Sequence, residues 1–556
     1  MRSSSSRGQF SAFFSIAVLL LASFLPVAAQ TAAPARSTAD LIREALTVQS
    51  IKDSTVALTT PEMEGRGTGQ PGGEKAANWI AEKFKALGLK PLGDKGSYLQ
   101  KVGFTETTVD PATSLTAGDT NLTYGTDFAF SPAVGNRTAS GSIVFVGYAI
   151  QGKAAGIDQL GDVDLSGKFV VMIEGPPPGF PKDTWEKQKL QRAIMRNIFS
   201  KRPAAIISFS RGDEERTEDQ AVDYYSRRQL NLGGEKEYYP EGAPVFISAT
   251  AKGIEKLLAT GGMTRDQAIE LAGNTKFRGK DLKVKAKAVS KIHTNKVTAY
   301  NVAGVLEGSD PKLSSEAVLF SAHYDAFGKM NDKIYYGAAD NALGTAEMLA
   351  VAEAYSKLPQ KPKRSMIFLA VTGEEYGLFG SKAWAKDPTW DIKKVAADLN
   401  LDGIGSEVYG PVKTMVGYGA EHSTLGALLD SVAKSMEINV IPDPMPDEKV
   451  FYRSDHYSFV ERGVPSLMLL GAPAGDKEVW IKKIKDWEKG DYHQPGDTVK
   501  DSWAWEGAET VAEVMAIMGW QISEDAQMPS WLNTSRFSKY DRGNSKPIPE
   551  DESEDK

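Results

Sequence analysis

The chain contains no cysteine. That removes disulfide cross-links and thiolate metal sites together, so stability must come from packed cores. Histidine is also scarce, with five in 556 residues. Imidazole chemistry therefore rests on His293, His323, His422, His456 or His493. An excess of basic charge is missing. Lys and Arg number 65 against 72 Asp and Glu, a net charge of -7, which leaves no electrostatic case for nucleic acid. After residue 29 no apolar run is long enough to cross a bilayer.

What is present is a chain long enough, at 41% hydrophobic content, to bury more than one core. Residues 1–29 look like a signal peptide. Arg2 and Arg7 give a positive start, residues 10–25 are apolar apart from three serines, and Val27-Ala28-Ala29 offers small residues for cleavage. The pattern predicts a secreted or periplasmic protein with no stable membrane anchor after cleavage. Lipid attachment through cysteine is excluded.

The informative stretch runs from His323 to Glu375. A buried-strand pattern at 317–322 leads into His323-Tyr-Asp325, and a second at 366–371 leads into Glu374-Glu375. Between them a helical pattern begins near Asp340, with Leu343, Ala346, Ala350 and Ala354 on one stripe. Strand, helix, strand predicts a parallel pair, with polar residues where open α/β sheets place their sites. Further on, 395–401 reads as a strand ending at Asp402, and 464–470 as another. The turn-rich segment 491–498 supplies Tyr492 and His493. Imidazoles and carboxylates converging at strand ends form a nitrogen-and-oxygen site that zinc accepts. The adjacent Glu374-Glu375 divides naturally into one ligand and one general base.

The ordered set His-x-Asp, Gly-x-x-Asp-Asn, Glu-Glu-x-Gly-Leu-x-Gly-Ser, Asn-Leu-Asp and Tyr-His-x-x-x-Asp-Thr resembles the zinc-dependent exopeptidases with two co-catalytic metal ions. That family includes bacterial secreted aminopeptidases and glutamate carboxypeptidase. The resemblance spans roughly residues 301–516. It implies two zinc ions per chain, one on His323 and Asp402, the other on Glu375 and His493, with Asp340 bridging. It implies Glu374 as general base, Tyr492 as donor to the scissile carbonyl, and Asp325 as the acceptor that orients His323. Asp340 is also expected to cap its helix. His456, His422 and His293 stay off the ligand set.

The resemblance further implies an α/β fold, with a mixed, mostly parallel sheet between helices. Residues 30–115 begin the peptidase domain and 295–533 complete it. Residues 116–294, where short β patterns dominate, look like an inserted protease-associated domain. Residues 534–556 are polar and expected to be disordered. Near the N-terminus, Glu64-Gly-Arg66-Gly-Thr-Gly precedes a helix with Ala77, Ile80, Ala81 and Phe84 on its apolar stripe. It resembles the family's segment that shapes a wall near the site. The implied function is an aminopeptidase acting on peptides. A carboxypeptidase or dipeptidase of the glutamate carboxypeptidase type is the alternative, with basic residues over the pocket, and a glutaminyl cyclase a further one. The oligomeric state is not legible.

Overall fold

The computed structural model describes residues 36–548 apart from 152–156, 181–184, 186–189, 213–217, 234–241, 331, 404, 474 and 547. The expected signal segment therefore lies outside the described residues.

The apolar runs on either side of the crossover become the strands Ala317–His323 and Ser365–Val371, buried at every position. Both faces of the sheet are covered there, which is why these strands show no polar alternation. They pair in parallel, with His323 opposite Val371, so the residues that follow each strand emerge at the same edge. Val395–Asn400 adds in parallel on the other side of Ala317–His323, and Ser466–Pro473 adds in parallel beyond it. These four strands form the centre of a ten-stranded sheet.

Parallel pairing is mostly confined to that centre. Ile292–Leu306 runs antiparallel to Ser365–Val371, and Leu99–Val109 runs antiparallel to it in turn. On the other flank Val412–Tyr418 is antiparallel to Ser466–Pro473. The antiparallel flanks join strands distant in sequence, and the helical crossover Leu343–Lys357 builds the middle.

That crossover helix buries its expected stripe, but Met348, Val351 and Ala352 are buried as well. It is sandwiched between the sheet and the helices Val48–Leu58 and Trp505–Glu524, so it has little solvent face to display. The helix Pro71–Ala86 buries Ala77, Ile80, Ala81 and Phe84 against the same core.

A second, eight-stranded sheet lies within residues 114–290 and encloses its own core around Ile143, Phe145, Phe169 and Ile207. One piece of this stretch departs from it. Gln229–Leu232 crosses back and pairs with Leu99–Val109, at the edge of the first sheet.

The expectation of a disordered tail from 534 does not hold through 546. Phe537 is fully buried, and Arg542 donates to the carbonyls of Val395 and Ala396 at 2.8 and 2.7 Å. A polar composition was misleading because two side chains suffice to pin the segment beneath the strand that leads to Asp402.

Candidate metal centre

Five polar side chains meet where the central strands end. His323 closes its strand, fully buried, and Thr345 on the crossover helix donates to its carbonyl at 2.8 Å. Asp340 precedes that helix. Its Oδ1 lies 3.2 Å from His323 Nε2, and its Oδ2 lies 3.3 Å from His493 Nε2. Asp402 brings Oδ1 to 3.5 Å from His323 Nε2, and Glu375 brings Oε2 to 2.8 Å from His493 Nε2. The result is two triads, His323-Asp340-Asp402 and Asp340-Glu375-His493, that share Asp340.

Within this crowd His323 Nε2, Glu375 Oε2 and Asp402 Oδ1 are buried and, among the described residues, make no hydrogen bond. Orphaned polar atoms facing one another are costly unless a cation joins them. The donors are all imidazole nitrogen and carboxylate oxygen, a set that fits zinc. The five residues thus suit divalent metal in both donor chemistry and placement.

Without a cation, protons must separate the carboxylates. Burial pulls the His323 ring down, but Glu374, Asp402 and Asp340 outweigh it and hold the ring well above its ordinary value. Burial is likewise overcome at His493, where Glu375 and Asp340 raise the pKa to about 9. Burial would raise Asp340, but its contacts with both imidazoles hold it below the usual carboxylate range. Burial pushes Glu374 well above its usual value; His323 opposes this, and the charges of Glu375 and Asp402 add to it.

Glu374 belongs to neither triad, yet its Oε2 stands 3.9 Å from His323 Nε2 and its side chain lines the cleft. Its backbone N–H donates to Asp325 Oδ1 at 3.2 Å, and Thr68 donates to Asp325 Oδ2 at 2.9 Å. The Asp325 carboxylate is therefore engaged by Thr68 and by the backbone of the Glu374 loop. His323 Nδ1 sits closer to the Asp325 backbone carbonyl, at 3.2 Å, than to its carboxylate, at 3.8 Å. The main chain thus shares the orienting role expected of the Asp325 side chain. Tyr492 stacks on the His493 ring, centroids 3.7 Å apart, and lines the cleft with Glu374 and Arg453.

Asp340 does not cap its helix. Asn341 does so instead, its Oδ1 accepting from Gly344 N–H while its Nδ2 donates to the Leu401 carbonyl. That second bond ties the Asp340 loop to the segment carrying Asp402. The backbone of the loop is held by Asp497, which accepts the N–H groups of Ala339 and Asp340 at 2.9 and 3.1 Å. Gly337 makes the approach feasible. Its φ is +56°, and a Cβ there would lie 2.4 Å from the Asp340 carbonyl oxygen.

Several supporting residues carried no readable signal of their role. Arg66, fully buried, donates to the carbonyls of Leu58, Tyr324, Tyr336 and Gly337. Ser454 donates to Asp402 Oδ2 at 2.5 Å. His456 is buried with neither ring nitrogen partnered, and burial lowers its pKa to about 4. It faces the Phe451 ring and belongs to neither triad, and His422 packs between Phe451 and Phe537. The motif Arg66-x-x-Gly69 marks a tight loop, but only the fold reveals that its arginine is an internal brace.

Residues 301–518 match peptidase family M28. Over 106 residues the chain is 40% identical to a vacuolar membrane protease of Clavispora lusitaniae, which is 19% of this chain and 9% of that protein. The chain therefore spans under a tenth of the length of that relative. The fold resembles an aminopeptidase from Aneurinibacillus sp. strain AM-1, with TM-score 0.55, 20% identity, and 88% of this chain and 97% of that one covered. It also resembles a zinc aminopeptidase from Bacillus subtilis, with TM-score 0.53, 16% identity, and 86% and 96% covered. The curated relatives overturn the expectation of a secreted or periplasmic protein, because they are named for a vacuolar membrane. Among the described residues, no helix is long and apolar enough to cross a membrane. The match of residues 301–518 to peptidase family M28, together with a fold shared with aminopeptidases, supports a zinc metallopeptidase.

Proposed function

We propose that the protein is an aminopeptidase that holds two zinc ions, one on His323 and Asp402, the other on Glu375 and His493, with Asp340 bridging. The observation that carries this reading is the division of Asp340, whose two oxygens face separate imidazoles, each accompanied by one further carboxylate. When bound, the ions supply Lewis acidity that lowers the pKa of water and polarises a peptide carbonyl.

Glu374 then takes the proton from the attacking water. The same carboxyl can then pass that proton to the leaving amide nitrogen. The Tyr492 hydroxyl serves as donor to the carbonyl oxygen as it gains negative charge. Asp325 fixes the Glu374 backbone and, with its own main chain, the His323 ring.

The choice of an N-terminal substrate end rests on charge. Asp340, Glu374, Asp402 and Glu488 line the cleft and suit an α-ammonium group, while Val450, Met468 and Trp487 offer an apolar wall for a side chain. Residues 116–294, as a protease-associated domain, narrow the approach so that chain ends are favoured over internal bonds. One observation favours the carboxypeptidase or dipeptidase reading instead. Arg453 lines the same cleft beside Tyr492, where it suits a substrate carboxylate.

A substrate panel separates these readings. Aminoacyl nitroanilides are expected to be cleaved, whereas carboxy-terminal glutamyl peptides and N-terminal glutamine peptides are expected to be left intact. Turnover of the glutamyl peptides alone would transfer the assignment to the carboxypeptidase, and cyclisation of N-terminal glutamine to the cyclase. Glu374→Gln is expected to keep bound zinc and lose about 10²–10⁴-fold in turnover. An active variant would remove Glu374 from the role of base.

A further inference from the structure

The stretch that carries the second sheet re-enters the first sheet at Arg227 and Arg228. The helix Glu218–Ser226 ends immediately before them, and Gln229–Leu232 pairs with Leu99–Val109 immediately after. Both arginines arrive at the rim of the metal cluster and are buried, at 6% and 7% exposure.

Their contacts differ. Arg228 pairs with Glu106 at 2.8 Å and donates to the Thr68 carbonyl at 2.6 Å, which ties the edge of the sheet to the loop beside Asp325. Arg227 reaches the centre itself. Its Nη2 donates to the backbone carbonyl of His493 at 2.5 Å, and its guanidinium lies 3.8 Å from the centre of the Phe327 ring. Phe327 meets the His493 imidazole edge-on at 4.7 Å, while Tyr492 stacks on the same ring.

His493 needs such support. Its φ is +57°, a left-handed conformation that is unfavourable for a residue with a Cβ. Its turn is short, and relaxation of that φ would swing the ring away from Glu375 and Asp340. The Arg227 hydrogen bond fixes the carbonyl, and the Phe327 ring beneath the guanidinium fixes the imidazole plane. The other two guanidinium nitrogens, Nε and Nη1, are buried and make no hydrogen bond among the described residues. A cation held at that cost beside a cation site is not explained by charge, since it opposes metal binding.

We infer that Arg227 is a positioning residue that holds His493 in its metal-binding conformation, so that the inserted stretch completes one half of the metal centre. The inference rests on His493 acting as a ligand in the proposed two-zinc site. It predicts an asymmetric effect. Loss of Arg227 weakens the Glu375-His493 site and spares the His323-Asp402 site.

The test is zinc binding to the full chain, followed by competition with a chelator, for wild type, Arg227→Ala, Arg227→Lys and His493→Ala. Arg227→Ala is expected to weaken the second zinc by about 10-fold or more, in the range known for groups that support a ligand, with the first zinc unchanged. Arg227→Lys keeps the charge and one donor but loses the planar fork, so an intermediate loss is expected. This variant decides the matter if Arg227→Ala does not fold. Tighter or unchanged binding of the second zinc in a folded variant overturns the inference and leaves Arg227 a simple packing residue. Equal weakening of both zincs overturns it too. If His493→Ala itself leaves zinc binding unchanged, the two-zinc reading has failed rather than the role of Arg227.

Discussion

Removal of one buried hydroxyl tests whether Asp402 is aimed by its surroundings. Ser454 is 3% exposed and donates to Asp402 Oδ2 at 2.5 Å. It also accepts from Asn400 Nδ2 at 2.8 Å, and the Ser321 hydroxyl faces both Asn400 Oδ1 and Asp398 Oδ1. Among the described residues, Asp402 Oδ1 and Asp398 Oδ2 are the oxygens of this buried polar chain left without a hydrogen bond. Ser454→Ala removes a charge-assisted hydrogen bond of about 1.5–3 kcal/mol and orphans one Asn400 N–H. The metal-free protein is expected to lose about 2–4 kcal/mol, because the two effects overlap. Urea unfolding with and without zinc measures the loss. With Oδ2 released, Asp402 can turn away from His323, so zinc at the His323-Asp402 site is expected to weaken by about 10-fold or more. A stability change under about 0.5 kcal/mol with unaltered zinc affinity would refute the idea that Ser454 aims the ligand.

Other predictions follow from the same geometry. Metal-free protein is expected to lose stability as pH rises from 7 to 9. His493, at about 9, and the buried carboxyls of Asp497 and Asp455, at about 7, keep protons in the folded state that the unfolded chain has already released, which makes the slope negative. Thermal unfolding across that range should show the fall, and zinc, which replaces the protons, should flatten it; a metal-free protein that gains stability with pH would contradict the assignment. For Gly337→Ala, the added Cβ meets the Asp340 carbonyl at a left-handed φ, so a loss of about 2 kcal/mol or more and weakened zinc are expected in a combined melt and metal assay. Phe537→Ala empties a fully buried site under the tail and is expected to cost about 3–5 kcal/mol in chemical unfolding, with zinc affinity preserved.

The sequence made the centre of the molecule legible because chemistry and periodicity coincide there. The runs at 317–322 and 366–371 are apolar throughout, and they become strands buried on both faces. Each stops at a polar residue because the sheet edge begins there, which is why His323, Glu374 and Glu375 could be placed together. Asp340, Asp402 and His493 needed the resemblance as well, since an isolated Asp before a helix or at a turn has many uses. The supporting groups were not legible. Arg66 and Arg227 look like ordinary surface arginines in the chain, yet one spans four carbonyls and the other grips the backbone of His493. Their roles depend on loops that meet only after folding, across sequence gaps of 270 and 266 residues. A mixed sheet was expected, but which strands pair antiparallel at its flanks was not legible for a similar reason. Ile292–Leu306 reads as a strand, but nothing local announces that its partner lies at Leu99–Val109.

The most direct test is a count of zinc on purified full-length protein by elemental analysis and calorimetric titration. Two zincs per wild-type chain are expected, with one remaining in His493→Ala and neither held tightly in Asp340→Ala. A wild-type chain that binds a single zinc, or an Asp340→Ala chain that still binds two, would contradict the shared-carboxylate centre.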